Sequence, residues 1–228
     1  MTPGLILDLD ETLYPQRQFI RSGFRAVAAE VSRRFEVPSP AVLARLLASL
    51  HNGNRGRALQ EMCLHFDLPP TVVPDLVDVI RAHEPSLRLP LEARTLLVRA
   101  RASGWRLGVL TNGRPEIQAR KVRALGLPAL VDTVVYAVEW GGGLGKPDRE
   151  PFDVIRERLA TTPALTVAVG DDSWCDIYGA RNAGFHTILL HPAAGRVRAS
   201  GADRVVGGLD EVLAAAEALV CWEVAHAA

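Results

Sequence analysis

Apolar residues follow two different repeats along this chain, and the change between them separates its parts. Short apolar runs bounded by polar residues or glycine are typical of buried parallel strands. They occur at residues 5–9, 105–110, 133–137, 165–169, 187–190 and 204–206. Beyond residue 90 these runs alternate with segments that predict helices at 92–103, 115–125, 150–159, 177–183 and 209–219. This alternation implies right-handed crossovers and a parallel sheet covered on both faces.

The segment after the first strand has a purely helical pattern. Its apolar residues recur every 3.6 positions over 19–31, and further helices are predicted at 40–50, 58–66 and 72–83. Ser39 is expected to cap the second of these helices, with Pro40 at the first helical position.

The two patterns together predict an α/β fold with an insertion. We expect a Rossmann-like parallel sheet core, with helices on both faces, from residues 1–14 and 89–228. A small all-helical domain of residues 15–88 would be inserted after the first strand.

Composition narrows the class of protein. The chain has 228 residues, of which 48% are hydrophobic and 23% charged, and its formal net charge is zero. Such a chain is an ordinary globular protein without a field that favours nucleic acid or an anionic membrane. No apolar run has the length of a membrane span, and Asp8 and Asp10 interrupt any signal-peptide pattern. We therefore expect a cytoplasmic monomer or homodimer.

The first strand ends in two aspartates, Asp8 and Asp10, with Thr12 just beyond. Functional side chains of parallel sheets lie beyond the carboxyl ends of the strands. Two carboxylates two residues apart repel each other unless a cation lies between them. The pattern therefore indicates a hard metal ion such as Mg²⁺, or a shared proton. The alternative is a solvated acidic loop.

Two further strand ends or loops have polar residues suited to a phosphate. Thr111 and Asn112 precede Gly113 where a helix begins, and a hydroxyl with free amides at a helix start suits a phosphate. An ordinary helix cap would have the same pattern. Lys146 follows in a glycine-rich loop and is one of only two lysines, with Lys121, against 24 arginines. The alternative for Lys146 is a surface loop position.

An acidic turn follows the strand predicted at 165–169. It contains Asp171, Asp172 and Asp176, and its alternative function is to cap a helix amino terminus. All four groups are predicted to share one edge of the sheet. Three or four carboxylates, a lysine and a hydroxyl are the groups that a magnesium-assisted phosphoryl transfer requires.

Together, these four groups resemble the four motifs of the haloacid dehalogenase-like (HAD) hydrolase superfamily in order and approximate spacing. The helical insertion resembles the C1-type cap of subfamily IA, which includes phosphoglycolate phosphatase-like enzymes. Asp10 favours the phosphatase branch, because true haloacid dehalogenases lack this second aspartate. The chain departs from the family pattern at Glu11, where Asp or Gly is common, and at Asp172, where Ser is common.

The resemblance implies a Mg²⁺-dependent phosphatase that acts on a small phosphorylated metabolite, such as a sugar phosphate, through an aspartyl-phosphate. Asp8 would be the nucleophile, Asp10 the general acid and base, and Lys146 the group that holds Asp8 and the phosphate. The implied phosphate-binding residues are Thr111, Asn112, Gly113 and Lys146. The implied metal ligands are Asp8, the Asp10 carbonyl and Asp171, with Asp172 and Asp176 in the surrounding layer.

The resemblance also implies that the helical cap determines specificity. The residues expected to do so are Arg17, Gln18, Arg21, Asn54 and Arg55. For the arginines the alternative is a solvated helix face, and for the polar loop at 51–57 it is a tight helix connection. Two other functions remain open, a phosphomutase with the same chemistry and a catalytically silent interaction protein.

Overall fold

The computed structural model describes residues 2–53, 55–194 and 201–226, with side chains except for Arg55 and residues 222–226. The chain divides into two compact units, Met1–Pro15 with Arg88–Ala228, and Gln16–Leu87. Within the described ranges no helix combines the length and the apolar character needed to cross a membrane.

The first unit contains one six-stranded sheet. Its strands are β1 (Gly4–Leu7), β2 (Arg106–Thr111), β3 (Thr133–Tyr136), β4 (Thr166–Gly170), β5 (His186–Leu190) and β6 (Arg204–Val206). Their order is β3-β2-β1-β4-β5-β6, and every neighbouring pair is parallel. The predicted α/β fold with a parallel sheet is confirmed.

The strand order reverses at β1, which lies between β2 and β4. Leu7 is in register with Val109 on one side and with Val169 on the other. Chain connections diverge to opposite faces at such a point and leave a crevice beyond the carboxyl ends of the strands. The residues that follow these three strand ends are therefore brought together.

The unit Gln16–Leu87 is built from four helices, with a core of its own. They are α1 (Arg17–Phe35), α2 (Ser39–His51), α3 (Ala58–His65) and α4 (Val73–Ala82). Each contributes an apolar stripe, because residues three and four apart lie on one helix face. Phe24, Leu46, Met62 and Leu76 are buried members of this core, one from each helix.

The prediction that Ser39 caps the amino terminus of α2 was wrong. Pro38 occupies the capping position with an extended ψ of 122°, and no side chain caps the helix. Ser39 is therefore already helical and Pro40 is the second helical residue, so the Ser39 hydroxyl does not bond the amides of the first turn.

Five further helices in the described residues accompany the sheet. They are α5 (Leu91–Ala102), α6 (Pro115–Ala124), α7 (Arg149–Arg158), α8 (Gly179–Asn182) and α9 (Leu209–His226). Side chains alternate between the faces of a strand. Ile6 joins Phe152 and Ile155 of α7 in one buried cluster. Leu5 and Leu7 point the other way and are fully buried as well, as expected for a sheet covered on both faces.

The helix predicted at 177–183 begins earlier than expected. A π-helical turn covers Ser173–Tyr178 and leads into α8. The Ile177 amide donates to the Asp172 carbonyl at 3.2 Å, a five-residue span that widens the turn. This wide turn brings Asp176 back toward the end of β4. The closing helix α9 is also longer than predicted and extends to His226.

Candidate active site

Three neighbouring strand ends supply the site. Asp8 follows β1, Thr111 is the last residue of β2, and Asp171 follows β4. The Asp8 amide donates to the Val169 carbonyl at 2.9 Å and continues the pairing of β1 with β4. Thr12 donates to Asp171 at 3.4 Å. The sheet order therefore places residues 8 and 171 side by side, although more than 160 positions separate them.

Lys146 is buried and makes three hydrogen bonds at this edge. Its Nζ lies 2.6 Å from an Asp8 oxygen, 2.6 Å from an Asp176 oxygen and 3.0 Å from the Leu110 carbonyl. These bonds use all three donors of the ammonium group. Burial alone would lower the pKa of Lys146, but the charges of Asp8 and Asp176 outweigh it and raise the pKa. Lys146 is therefore a fixed cation.

Asn112 makes two side-chain hydrogen bonds that the sequence did not predict, and its contact with phosphate stays a prediction. Its side-chain amide donates to the Lys146 carbonyl at 2.9 Å, and its oxygen accepts from the Lys146 amide at 2.8 Å. Gly145 permits this approach, since a Cβ there would lie 2.6 Å from the Asn112 oxygen. The Asn112 side chain therefore fixes the backbone of the loop that contains Lys146. Gly113, with a φ of 116°, forms the turn that follows.

Asp176 is positioned by the π-helical turn and by Gly170. One Asp176 oxygen accepts from Lys146, and the other accepts from the Asp172 amide at 3.1 Å. A Cβ at Gly170 would lie 2.2 Å from an Asp176 oxygen. Only glycine leaves room for this carboxylate.

We expect Gly170→Ala to destabilise the protein by about 1–3 kcal/mol, as overpacked cores do, and to displace Asp176. Denaturant unfolding measures the first effect. Gly56→Ala is the matched control, because a Cβ there has no neighbour within 4 Å. Equal stability of the two variants would contradict this account of Gly170.

The Asp172 side chain caps the π-helical turn. One of its oxygens accepts from the amides of Trp174 and Cys175 at 2.8 and 2.7 Å. This is the helix-capping alternative that the sequence left open, and the position of Asp172 in the layer around a metal stays a prediction. An acidic cap is favourable here because the first amides of a helix have no partner within it.

Three carboxylates of the site are close enough to share a cation. One oxygen each from Asp8, Asp171 and Asp176 lies within 4.8 Å of the others. Burial is the main cause that raises the pKa of Asp8 to about 7, with Lys146 opposing and Asp176 adding to the shift. The pKa of Asp171 is raised as well, mainly by burial and secondly by the charge of Asp176. Both shifts have the same main cause, because burial removes the water that would solvate the charged carboxylate.

The charge balance and the ligand type fit a divalent ion. Four carboxylates, those of residues 8, 10, 171 and 176, face the two ammonium groups of Lys121 and Lys146. These carboxylates outnumber the ammonium groups, and a divalent cation would neutralise the excess. Carboxylate oxygens are also the ligands that Mg²⁺ prefers.

The Asp10 carboxylate is surrounded by donors that the sequence analysis did not identify. It accepts from Tyr14 at 2.6 Å, from Gln118 at 2.9 Å, and from Lys121 at 2.8 Å through each of its oxygens. Burial and the Asp10 charge raise the pKa of Tyr14, which keeps the phenol protonated as a donor. The rarity of lysine in the chain was the signal that could have identified Lys121. Gln118 and Lys121 are also three residues apart, on one face of α6.

The residues expected to set specificity belong to the other unit. Arg17 and Arg21 are exposed and one turn apart on α1, which also contains Gln18. Asn54 and the Arg55 side chain lie outside the described part of the structure. The specificity function of all five residues stays a prediction.

The comparisons with known proteins place this chain in a family. The model of the haloacid dehalogenase-like hydrolase family matches residues 2–184. This protein belongs to the haloacid dehalogenase-like hydrolases, so the predicted superfamily and hydrolase class are confirmed.

Two relatives and one solved structure are similar to this chain. A glyceraldehyde 3-phosphate phosphatase of Methanocaldococcus jannaschii is 29% identical over 83% of this chain and 85% of its own length. A ribulose-1,5-bisphosphate 5-phosphatase of Halopiger xanaduensis is 29% identical over 90% and 91%. The magnesium-bound structure of the putative HAD-hydrolase YfnB of Bacillus subtilis matches 94% of this chain and 98% of its own, with a TM-score of 0.66 and 16% identity. That last likeness shows a shared fold.

Proposed function

We propose that this protein is a Mg²⁺-dependent hydrolase of small phosphate monoesters. The observation that carries the proposal is the position of Asp8. Its carboxylate lies 2.6 Å from the Lys146 ammonium and shares a cluster with Asp171 and Asp176. The phosphatases among its relatives, which act on glyceraldehyde 3-phosphate and ribulose-1,5-bisphosphate, support a small phosphorylated metabolite as substrate.

Asp8 acts as the nucleophile. One of its oxygens forms a bond to phosphorus while the bond from phosphorus to the alcohol oxygen breaks, which gives an aspartyl-phosphate. The other oxygen stays with Lys146, whose three hydrogen bonds prevent the carboxylate from rotating away. Lys146 and the amides of the turn at Gly113 lower the repulsion between this carboxylate and the phosphate oxygens.

Asp10 transfers the protons. In its protonated form it gives a proton to the departing alcohol, and as a carboxylate it then takes a proton from the attacking water. That water forms the new bond to phosphorus, and the bond to Asp8 breaks to release inorganic phosphate. Asp10 is two residues from the nucleophile, beside the same strand end, which suits both transfers.

Asp8 and Asp171 would hold the metal ion with the Asp10 carbonyl, while Asp176 orients Lys146. When bound, Mg²⁺ supplies positive charge against the phosphate oxygens. The unit Gln16–Leu87 is inserted directly after this motif, and we propose that it is the cap that selects the alcohol part of the substrate. Arg17, Gln18 and Arg21 are its first residues to test.

A screen of small phosphate esters with Mg²⁺ tests the proposal. Sugar phosphates, triose phosphates and phosphoserine should release inorganic phosphate, and EDTA should stop the release until Mg²⁺ is restored. An isomerised phosphate ester without free phosphate would indicate a phosphomutase instead. No turnover of any ester would indicate a catalytically silent protein.

Magnesium should stabilise the fold more at high pH than at low pH. The pKa of Asp8 is raised from 3.8 to about 7 in the folded protein without metal. Its carboxyl therefore adds stability below the unfolded pKa, and this contribution is lost as pH rises through the folded pKa. Mg²⁺ needs the deprotonated form, so metal binding competes with the proton.

Thermal unfolding with Mg²⁺ and with EDTA measures this effect. At about 100 times the dissociation constant the gain should be about 2.7 kcal/mol near pH 8, and clearly smaller near pH 5. Asp171→Asn is the control that should lose most of the gain. Equal unfolding temperatures with Mg²⁺ and EDTA at both pH values would rule out the site.

A further inference from the structure

The second lysine of the chain, Lys121, is buried against the side chain that transfers protons in the proposed reaction. Its side chain is only 5% exposed, and its Nζ lies 2.8 Å from both oxygens of Asp10. Lys146 contacts a different pair of carboxylates, Asp8 and Asp176. The only two lysines in a chain with 24 arginines therefore both bind carboxylates of this site.

Two neutral donors complete the surroundings of Asp10. The Tyr14 hydroxyl donates to one oxygen at 2.6 Å, and the Gln118 amide donates to the other at 2.9 Å. With Lys121 bridging both oxygens, the deprotonated carboxylate is held by four hydrogen bonds. In the acid form the proton takes the place of Lys121 on one oxygen, and three of these bonds remain. We call Tyr14, Gln118 and Lys121 the Asp10 cradle.

The cradle limits the orientations of a carboxylate that would otherwise be free to rotate. Asp10 lies in a turn, next to Glu11 with a left-handed φ of 59°, and its side chain is 20% exposed. A side chain in such a turn has several accessible rotamers. Proton transfer requires a donor and acceptor within hydrogen-bond distance, so an unrestrained Asp10 would often be misplaced.

Gln118 also connects the cradle to Thr111, one of the residues predicted to bind phosphate. Its side-chain nitrogen donates to the buried Thr111 hydroxyl at 2.6 Å as well as to Asp10. Thr111 accepts this bond, and its own hydroxyl donates to the Asn112 carbonyl at 3.4 Å, a long bond that a bound phosphate oxygen would replace. One amide therefore orients both the proton-transfer residue and the phosphate-binding hydroxyl.

We propose that Lys121, with Gln118, is a positioning residue for the reaction, acting through Asp10. This inference rests on the proposed phosphatase function. Neither residue needs to touch the substrate. Lys121 fixes the carboxylate, and Gln118 aligns it with Thr111.

A double-mutant cycle with Asp10→Asn and Lys121→Met tests the inference. Lys121→Met should lower kcat/KM for an alkyl phosphate about 10²-fold, the loss expected for a misplaced group. In the Asp10→Asn background the same change should cost less than about threefold, because residues that act through one another are not additive. A purely structural function of Lys121 would give equal losses in both backgrounds.

The leaving group supplies a second readout. An aryl phosphate with an acidic phenol departs without a donated proton, so its kcat/KM should fall far less in Lys121→Met than that of an alkyl phosphate. Arg123→Met is the matched control on the same helix, since Arg123 is exposed, and it should behave as wild type. Circular dichroism and thermal unfolding check that each variant is folded, and Gln118→Ala offers a milder disruption if Lys121→Met does not fold.

The outcomes separate this inference from the function on which it depends. If the wild type is active but Lys121→Met has unchanged kinetics, or shows equal losses in both backgrounds, only the positioning function of Lys121 is overturned. A wild type that turns over no phosphate ester would overturn the proposed function and the cradle with it.

Discussion

Replacement of Asp8 by Asn should abolish turnover, with a loss on the order of 10⁴-fold or more, since removal of a nucleophile has effects of at least that order. An amide oxygen is too weak a nucleophile to attack phosphorus. The fold should survive, because Asn keeps an oxygen that can accept from Lys146, and Lys146 keeps its bonds to Asp176 and Leu110. The rate of phosphate release measures the loss.

Trapping of the intermediate makes this test specific to covalent catalysis. Wild-type protein quenched in acid during turnover of a phosphoryl-labelled substrate should retain label that hydroxylamine removes, and Asp8→Asn should retain none. Asp153→Asn is a suitable control, because Asp153 pairs with Arg149 on α7 and no proposed step involves it. Label in Asp8→Asn, or turnover above about 1% of wild type after mass spectrometry excludes deamidation, would refute Asp8 as the nucleophile.

Replacement of Lys146 by Met should impair both turnover and stability. We expect kcat to fall about 10³-fold, near the upper end of the losses for one stabilising donor. The change also leaves Asp8 and Asp176 buried without their shared cation. Removal of one partner from a buried ion pair typically costs about 3–5 kcal/mol. Activity assays and denaturant unfolding measure the two effects.

A second substitution separates the two effects of Lys146. The double variant Lys146→Met/Asp176→Asn removes one of the two carboxylates that the loss of Lys146 leaves without a cation. The side-chain oxygen of the introduced asparagine can still accept from the Asp172 amide, as Asp176 does in the wild type. The double variant should therefore recover part of the stability and none of the turnover. Recovery of turnover together with stability would mean that Lys146 has only a structural function.

The overall fold could be predicted because its signals are local. Short apolar runs such as Leu5–Leu7 and Val167–Val169 are typical of strands covered on both faces. The helices between them are predicted by the 3.6-residue apolar period and by the glycines that follow their last residues. The polar residues at the strand ends were found for the same reason, since each directly follows its own strand. Lys146 was predicted to lie at the same edge of the sheet, and the resemblance to a family added its pairing with Asp8.

The contacts that the sequence did not predict involve partners distant in sequence or depend on backbone detail. The Asn112 side chain binds the Lys146 backbone, and its contact with phosphate stays a prediction. Asp172 caps a π-helical turn that no apolar period reveals, and its position near a metal stays a prediction. The rarity of lysine singles out Lys121, but nothing in the sequence pairs Lys121 or Gln118 with Asp10, which is more than 100 residues away.

The amino-acid sequence alone determined the strands and helices of this protein and the list of residues with suitable chemistry. These features depend on residues within a few positions of one another, because helix and strand propensities and the apolar repeat are local properties of the sequence. Only the tertiary structure decided which carboxylate each lysine neutralises and which polar side chains hold the backbone. Those pairings depend on the order of strands in the sheet, which sets distances between residues that the chain itself leaves far apart.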